Sequence, residues 1–157
     1  MKEHDIDRIS GAVVDAAIRV HRELGPGLLE SVYETILAGV LARAGFKVDR
    51  QRAIDIDFDG IHFPAAFRVD LMIDDQLIVE IKTVERLAPI HAKQLLTYLR
   101  LTDQPVGLVL NFSCETMKEG IRRVVNNYRR KLLLLRALCA SARANLYGAY
   151  HNGTPHV

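Results

Sequence analysis

Asp70, Glu80 and Lys82 stand within FRVDLMIDDQLIVEIKTVE, residues 67–85, in two runs that are otherwise apolar. Charged side chains are costly to bury in such runs unless they are paired or serve a site. Two carboxylates with a free peptide carbonyl nearby are hard oxygen donors of the kind that take Mg²⁺ or Mn²⁺ together with several waters. An ion held there lowers the pKa of a bound water and steadies negative charge developing on a phosphate. Lys82 has the charge to orient or deprotonate that water, or to hold the phosphate. The plainer alternative for the same residues is a cross-strand salt bridge.

Both runs have a period of two. Phe67, Val69, Leu71 and Ile73 alternate with Arg68, Asp70 and Met72; Leu77, Val79 and Ile81 alternate with Ile78, Glu80 and Lys82. That pattern predicts two strands in a hairpin. If Asp74, Asp75 and Gln76 form a three-residue loop, Ile73 faces Leu77 and Asp70 faces Glu80, with Lys82 on the same side. A two-residue loop would shift the register and separate the carboxylates. Like charges directly opposite each other destabilise a sheet unless a cation lies between them.

The elements that must position this hairpin follow from the spacing around it. Ile6, Ile9, Val13, Ala16, Ala17, Val20 and Leu24 predict a helix over 7–24, capped by Asp5 or Asp7 and broken by Gly25-Pro26-Gly27. A second helix is predicted from Leu28 to Ala44, with Gly45 as its C′ residue. Glu30 suits either the first turn of that helix, where a carboxylate meets unpaired N–H groups, or a reach toward Asp70 and Glu80. Tyr33, three residues on, reads as core. Phe46–Phe63 reads as strand, turn and strand about Asp59-Gly60, with Asp55, Asp57 and Asp59 on its wet face and Pro64 interrupting the pairing or marking an edge.

Beyond the hairpin, Pro89 opens a helix to about Leu101. On it His91, Gln94 and Tyr98 form one stripe, fit for hydrogen bonding beside the strand cluster or for a structural polar pair. Val106–Phe112 is a mostly unbroken apolar run of strand length, as a strand covered on both faces would be. Thr116–Lys131 reads as a basic helix with Ile121, Val124, Val125 and Tyr128 inward, prolonged to about Leu146 and followed by a frayed tail, 147–157. One domain over 1–146 is the expected organisation.

The charge is unevenly spread. Residues 118–143 hold eight Lys and Arg against Glu119 alone, or +7, while residues 1–117 hold 13 against 18 acidic residues, or −5. The basic stretch suits a polyanion partner, a solvated face or a subunit contact. Two cysteines are too few for a disulfide scaffold, and no signal-peptide pattern or apolar run long enough to span a membrane occurs. A reducing, cytoplasmic setting with no membrane association is expected. Walker, dinucleotide-binding and H-E-x-x-H motifs are absent from the sequence, which removes several common enzyme classes.

The arrangement Asp70, nine residues, Glu80-Ile81-Lys82, set between a glutamate-bearing helix and a helix–strand–helix, resembles the PD-(D/E)xK nuclease superfamily. Val69 stands where many members have proline. Gln94-Leu95-Leu96-Thr97-Tyr98 is similar to the QxxxY motif of the RecB-like branch, and Gly27-Leu28-Leu29-Glu30-Ser31-Val32-Tyr33 to the naming motif of the bacterial GxxExxY proteins. Blocks resembling that family extend over roughly residues 5–127. The resemblance implies an α/β, restriction-endonuclease-like core of order α-β-β-β-α-β, a central mixed sheet flanked by helices, with an added N-terminal helix and a long basic C-terminal helix.

It also implies roles. Asp70, Glu80 and the Ile81 backbone carbonyl become ligands of Mg²⁺ or Mn²⁺, Lys82 the base that directs water or phosphate, and Glu30 a further candidate metal or water ligand. Gln94, Tyr98, Tyr33 and His91 are supporting residues. The expected activity is metal-dependent hydrolysis of DNA or RNA, DNA foremost, by a chain that is a candidate homodimer through its C-terminal helix. The alternative is a non-catalytic regulatory subunit that binds nucleic acid or protein on the same fold.

Overall fold

The structure, a computed structural model, describes residues 3–127. Every element described lies in the unit that ends at Asn126. Its elements run α1 (Glu3–Leu24), α2 (Glu30–Arg43), β1 (Val48–Phe58), β2 (Ile61–Ile73), β3 (Leu77–Lys82), α3 (Pro89–Leu101), β4 (Val106–Asn111), a single helical turn α4 (Met117–Gly120) and β5 (Ile121–Val125). The five strands lie side by side in sequence order. Only β3 and β4 are parallel, joined by the α3 crossover, so the sheet is mixed.

Two apolar clusters sandwich the sheet. On one face α1 and α2 bring Ile9, Val13, Tyr33, Leu37 and Leu41 onto Leu71, Ile73, Leu77, Val79 and Leu110. On the other, α3 brings Leu95 and Leu99 onto Val69, Met72, Ile78 and Val109. The central strands β3 and β4 are therefore buried almost throughout, which accounts for the apolar run that fills β4 up to Asn111. Gly45 ends α2 at a φ of 92°, in the left-handed region where glycine bears no Cβ penalty.

The turn between β2 and β3 has the three-residue form. Ile73 faces Leu77, Met72 faces Ile78 and Leu71 faces Val79, and the paired rungs end there, one residue short of Asp70 and Glu80. The faces of β2 differ from strict alternation. Phe67 and Val69 belong with the α3 side, whereas Leu71 and Ile73 belong with the α1–α2 side. The chain turns over at Asp70, so that both halves of β2 bury their apolar residues.

At the other end β1 and β2 run on as a two-stranded arm. Phe58 pairs with Ile61 and Ile56 with Phe63 around the Asp59-Gly60 turn, and a register shift lies between Ile54 and Ile56, opposite Pro64. Phe58, Ile61 and Phe63 are exposed.

Two expectations are corrected. The first helix begins at Glu3, ahead of the expected caps. The basic helix expected from Thr116 is one turn of helix followed by β5, because the β-branched Ile121, Val124 and Val125 complete the edge of β4. Gly120 permits the change: a side chain there would collide with the Asn111 carbonyl. The expected continuation to Leu146, the 147–157 tail and a dimer contact through them fall outside the described residues.

Candidate functional site

Asp70 sits where β2 and β3 part. Continuing the ladder would pair Val69 with Ile81, but the Ile81 N–H donates to Asp70 Oδ2 instead, at 2.8 Å. The Lys82 carbonyl accepts from Phe112 N on the β4 side at 2.9 Å. Alternation along the strand therefore turns the N–H and C=O of Ile81 toward β2, into the gap beside Asp70. The apolar pattern of both strands holds this gap in the middle of the sheet.

Glu80 is buried, 4% exposed, and its Oε1 has no hydrogen-bond partner. Its Oε2 is 3.4 Å from Lys82 Nζ, a long ion pair. Burial, then the charge of Asp70, pushes the Glu80 carboxyl up from 4.5 to about 7, against the pull of Lys82. Burial likewise raises Asp70, opposed by the Ile81 N–H, by Lys82 and by Gln51. Lys82 thus offsets the local negative charge only in part. The Glu80–Lys82 ion pair leaves the second carboxylate oxygen, Oε1, without a partner.

The α2 helix reaches the site through two carboxylates one turn apart. Glu30 Oε1 accepts the Thr83 N–H at 3.0 Å, fastening the chain just past Lys82. Glu34, which the sequence reading did not single out, is buried between Arg50 Nε at 2.8 Å and Gln51 Nε2 at 2.7 Å. Gln51 Nε2 also lies 3.2 Å from Asp70 Oδ1. Glu30, Glu34, Gln51, Asp70, Ile81 and Thr83 line one open cleft of about 650 Å³. The available signal was spacing: Glu34 follows Glu30 by four residues and shares its helix face.

Tyr33 lies elsewhere. It is fully buried, stacked on Phe112 at 4.3 Å, and its hydroxyl donates to the Gly25 carbonyl at 2.6 Å. Its contribution is to fix the turn from which α2 starts.

From the opposite side, Tyr98 stacks on Phe67 at 4.0 Å and accepts from Gln94 Nε2 at 2.9 Å. Burial, then the charge of Glu80, raises the Tyr98 phenol, so the two side chains are electrostatically linked. His91 is apart from this group: its Nδ1 accepts the Ala88 N–H at 3.1 Å, and it lines a separate pocket of about 270 Å³ with Val109 and Arg122.

Among the described residues, no three His, Cys, Asp or Glu side chains are grouped so as to hold a metal ion. The oxygens that are present nevertheless suit Mg²⁺ or Mn²⁺. Such ions are commonly held by one or two carboxylates, with water and substrate phosphate completing the shell. Here the orphaned Glu80 Oε1, the Asp70 carboxylate and the Ile81 carbonyl are hard donors lacking a matching positive charge.

The description of the family model that matches residues 7–124 is the PD-(D/E)XK nuclease superfamily. The chain belongs to that superfamily, and its α/β fold with a central mixed sheet flanked by helices accords with it. No curated protein and no solved structure gives a match. No helix among the described residues is long and apolar enough to cross a membrane.

Proposed function

We propose that the protein is a Mg²⁺- or Mn²⁺-dependent nuclease that hydrolyses phosphodiester bonds of DNA or RNA, with DNA the foremost substrate. Asp70, Glu80 and the Ile81 carbonyl hold the metal, and Lys82 directs the attacking water or the phosphate. When bound, the ion supplies a more acidic water and charge stabilisation at the phosphate. The observation that carries this reading is the buried Glu80 Oε1 without a partner beside a second carboxylate of raised pKa. Membership of the superfamily supports it independently.

Within the superfamily, the Gly27–Tyr33 and Gln94–Tyr98 patterns favour the GxxExxY group and a RecB-like supporting helix. Glu30 holds the end of β3 through Thr83. Gln94 and Tyr98 form the wall of the site on the α3 side. A cytoplasmic setting fits a nucleic-acid substrate.

The test is cleavage of single- and double-stranded DNA and RNA in Mg²⁺ or Mn²⁺ by the parent, Asp70→Ala and Lys82→Ala. Loss of about 10²- to 10⁴-fold is expected in Lys82→Ala, the range found when a positioned proton-transfer group is removed, and a loss at least as large in Asp70→Ala, which removes a metal ligand. Equal activity in all three would overturn the site, and no cleavage by the parent would favour the regulatory-subunit alternative.

A further inference from the structure

We propose that Glu34, acting through Gln51, positions the Asp70 carboxylate, an inference that rests on the metal-dependent reading above. Each Asp70 oxygen has one donor: Ile81 N–H on Oδ2 at 2.8 Å and Gln51 Nε2 on Oδ1 at 3.2 Å. Two donors at separate oxygens fix the plane of the carboxylate while leaving lone pairs for a cation.

Gln51 is itself held. The same Nε2 donates to Glu34 Oε2 at 2.7 Å, and Glu34 is clamped by Arg50, which also bonds Thr35 Oγ1 at 2.9 Å. Glu34 is 6% exposed, and a polar group so buried is costly unless it is hydrogen-bonded. The backbone gives a second, independent indication. Gln51 adopts a φ of 49° opposite Asp70, between the rungs Arg50–Leu71 and Arg52–Val69. A non-glycine residue in that region is sterically unfavourable, and strand pairing alone would not select it. The conformation sets the Gln51 amide between the two carboxylates.

The two α2 carboxylates thus divide their work, Glu30 on the backbone beyond Lys82 and Glu34 on the bridge to Asp70. A purely structural reading would make Glu34 and Arg50 a tie between α2 and β1 alone. The two readings differ in what happens to metal affinity.

The experiment is calorimetric titration of the full chain with Mn²⁺, beside urea denaturation without metal. The parent binds, and Asp70→Ala does not. Gln51→Leu and Glu34→Leu weaken binding by about 10- to 100-fold, the usual effect of losing a residue that orients a ligand. Glu34→Gln, which keeps an acceptor for the Gln51 amide, retains most of the affinity. Parent-like affinity in both leucine variants, with Asp70→Ala still inactive in binding, overturns the positioning role and leaves the metal site standing. A parent that binds no Mn²⁺ overturns both. A second readout needs no change at Gln51: its side-chain amide signals shift on Mg²⁺ addition in the parent and stay fixed in Asp70→Ala. Signals unmoved in a parent that binds Mg²⁺ would equally overturn the role.

Discussion

The outer arm of β1 and β2, residues 55–66, and the β2–β3 hairpin are built from the same alternation of apolar and charged residues, yet they treat their charges in opposite ways. In the arm, Asp57 pairs with His62 in the open at 2.7 Å, raising the imidazole above its ordinary value, while Phe58, Ile61 and Phe63 remain exposed. In the hairpin the apolar residues are covered on both faces and Glu80 is buried with them. The difference lies in what packs against the strands. The arm projects beyond the helices, so water solvates its carboxylates and their identity matters little to stability. The hairpin lies between two helical layers, where an unmatched carboxylate is unfavourable unless a ligand completes it.

That contrast can be tested by substitution. Ile78→Ala, in the hairpin, should reduce stability by about 2–5 kcal/mol, as deletion of a fully buried aliphatic side chain does. Urea denaturation measures it, and a loss below about 1 kcal/mol would mean that the hairpin is no better covered than the arm.

The next effect is pH dependence. Because the Glu80 carboxyl is raised from 4.5 to about 7, the metal-free folded protein keeps a proton that the unfolded chain releases within that window. Stability therefore falls as pH rises from about 4.5 to 7, by at most about 3 kcal/mol. Glu80→Gln should remove most of that slope, and an unchanged slope in the variant would assign it to other groups. The smallest effect belongs to the arm: Phe63→Ser should shift the same denaturation midpoint by no more than about 0.5 kcal/mol. A large loss there would show that the arm is buried in solution.

Much of this arrangement was legible in the residues. The polar Asp74-Asp75-Gln76 between two period-two runs indicated the turn and the register, and Asp59-Gly60 indicated the tip of the arm. Pro89 and Gly45 marked helix ends correctly. What escaped depends on tertiary placement. The turnover at Asp70 comes from two cores competing for one strand, which a strict period of two cannot express. Gln51 carries no special pattern, and its role depends on a backbone angle and on neighbours 17 and 19 residues away. IRRVV at 121–125 fitted helical spacing, but the open edge of β4 drew its β-branched residues into a strand.

The central claim is that Asp70 and Glu80 form a site completed by a divalent cation, and the most direct measurement is the stability gained on adding Mn²⁺ above pH 7. At 100 times its dissociation constant the ion should stabilise the parent by about 2.7 kcal/mol in urea denaturation, and Asp70→Ala by close to nothing. An equal gain in both proteins, or none in the parent, would contradict it.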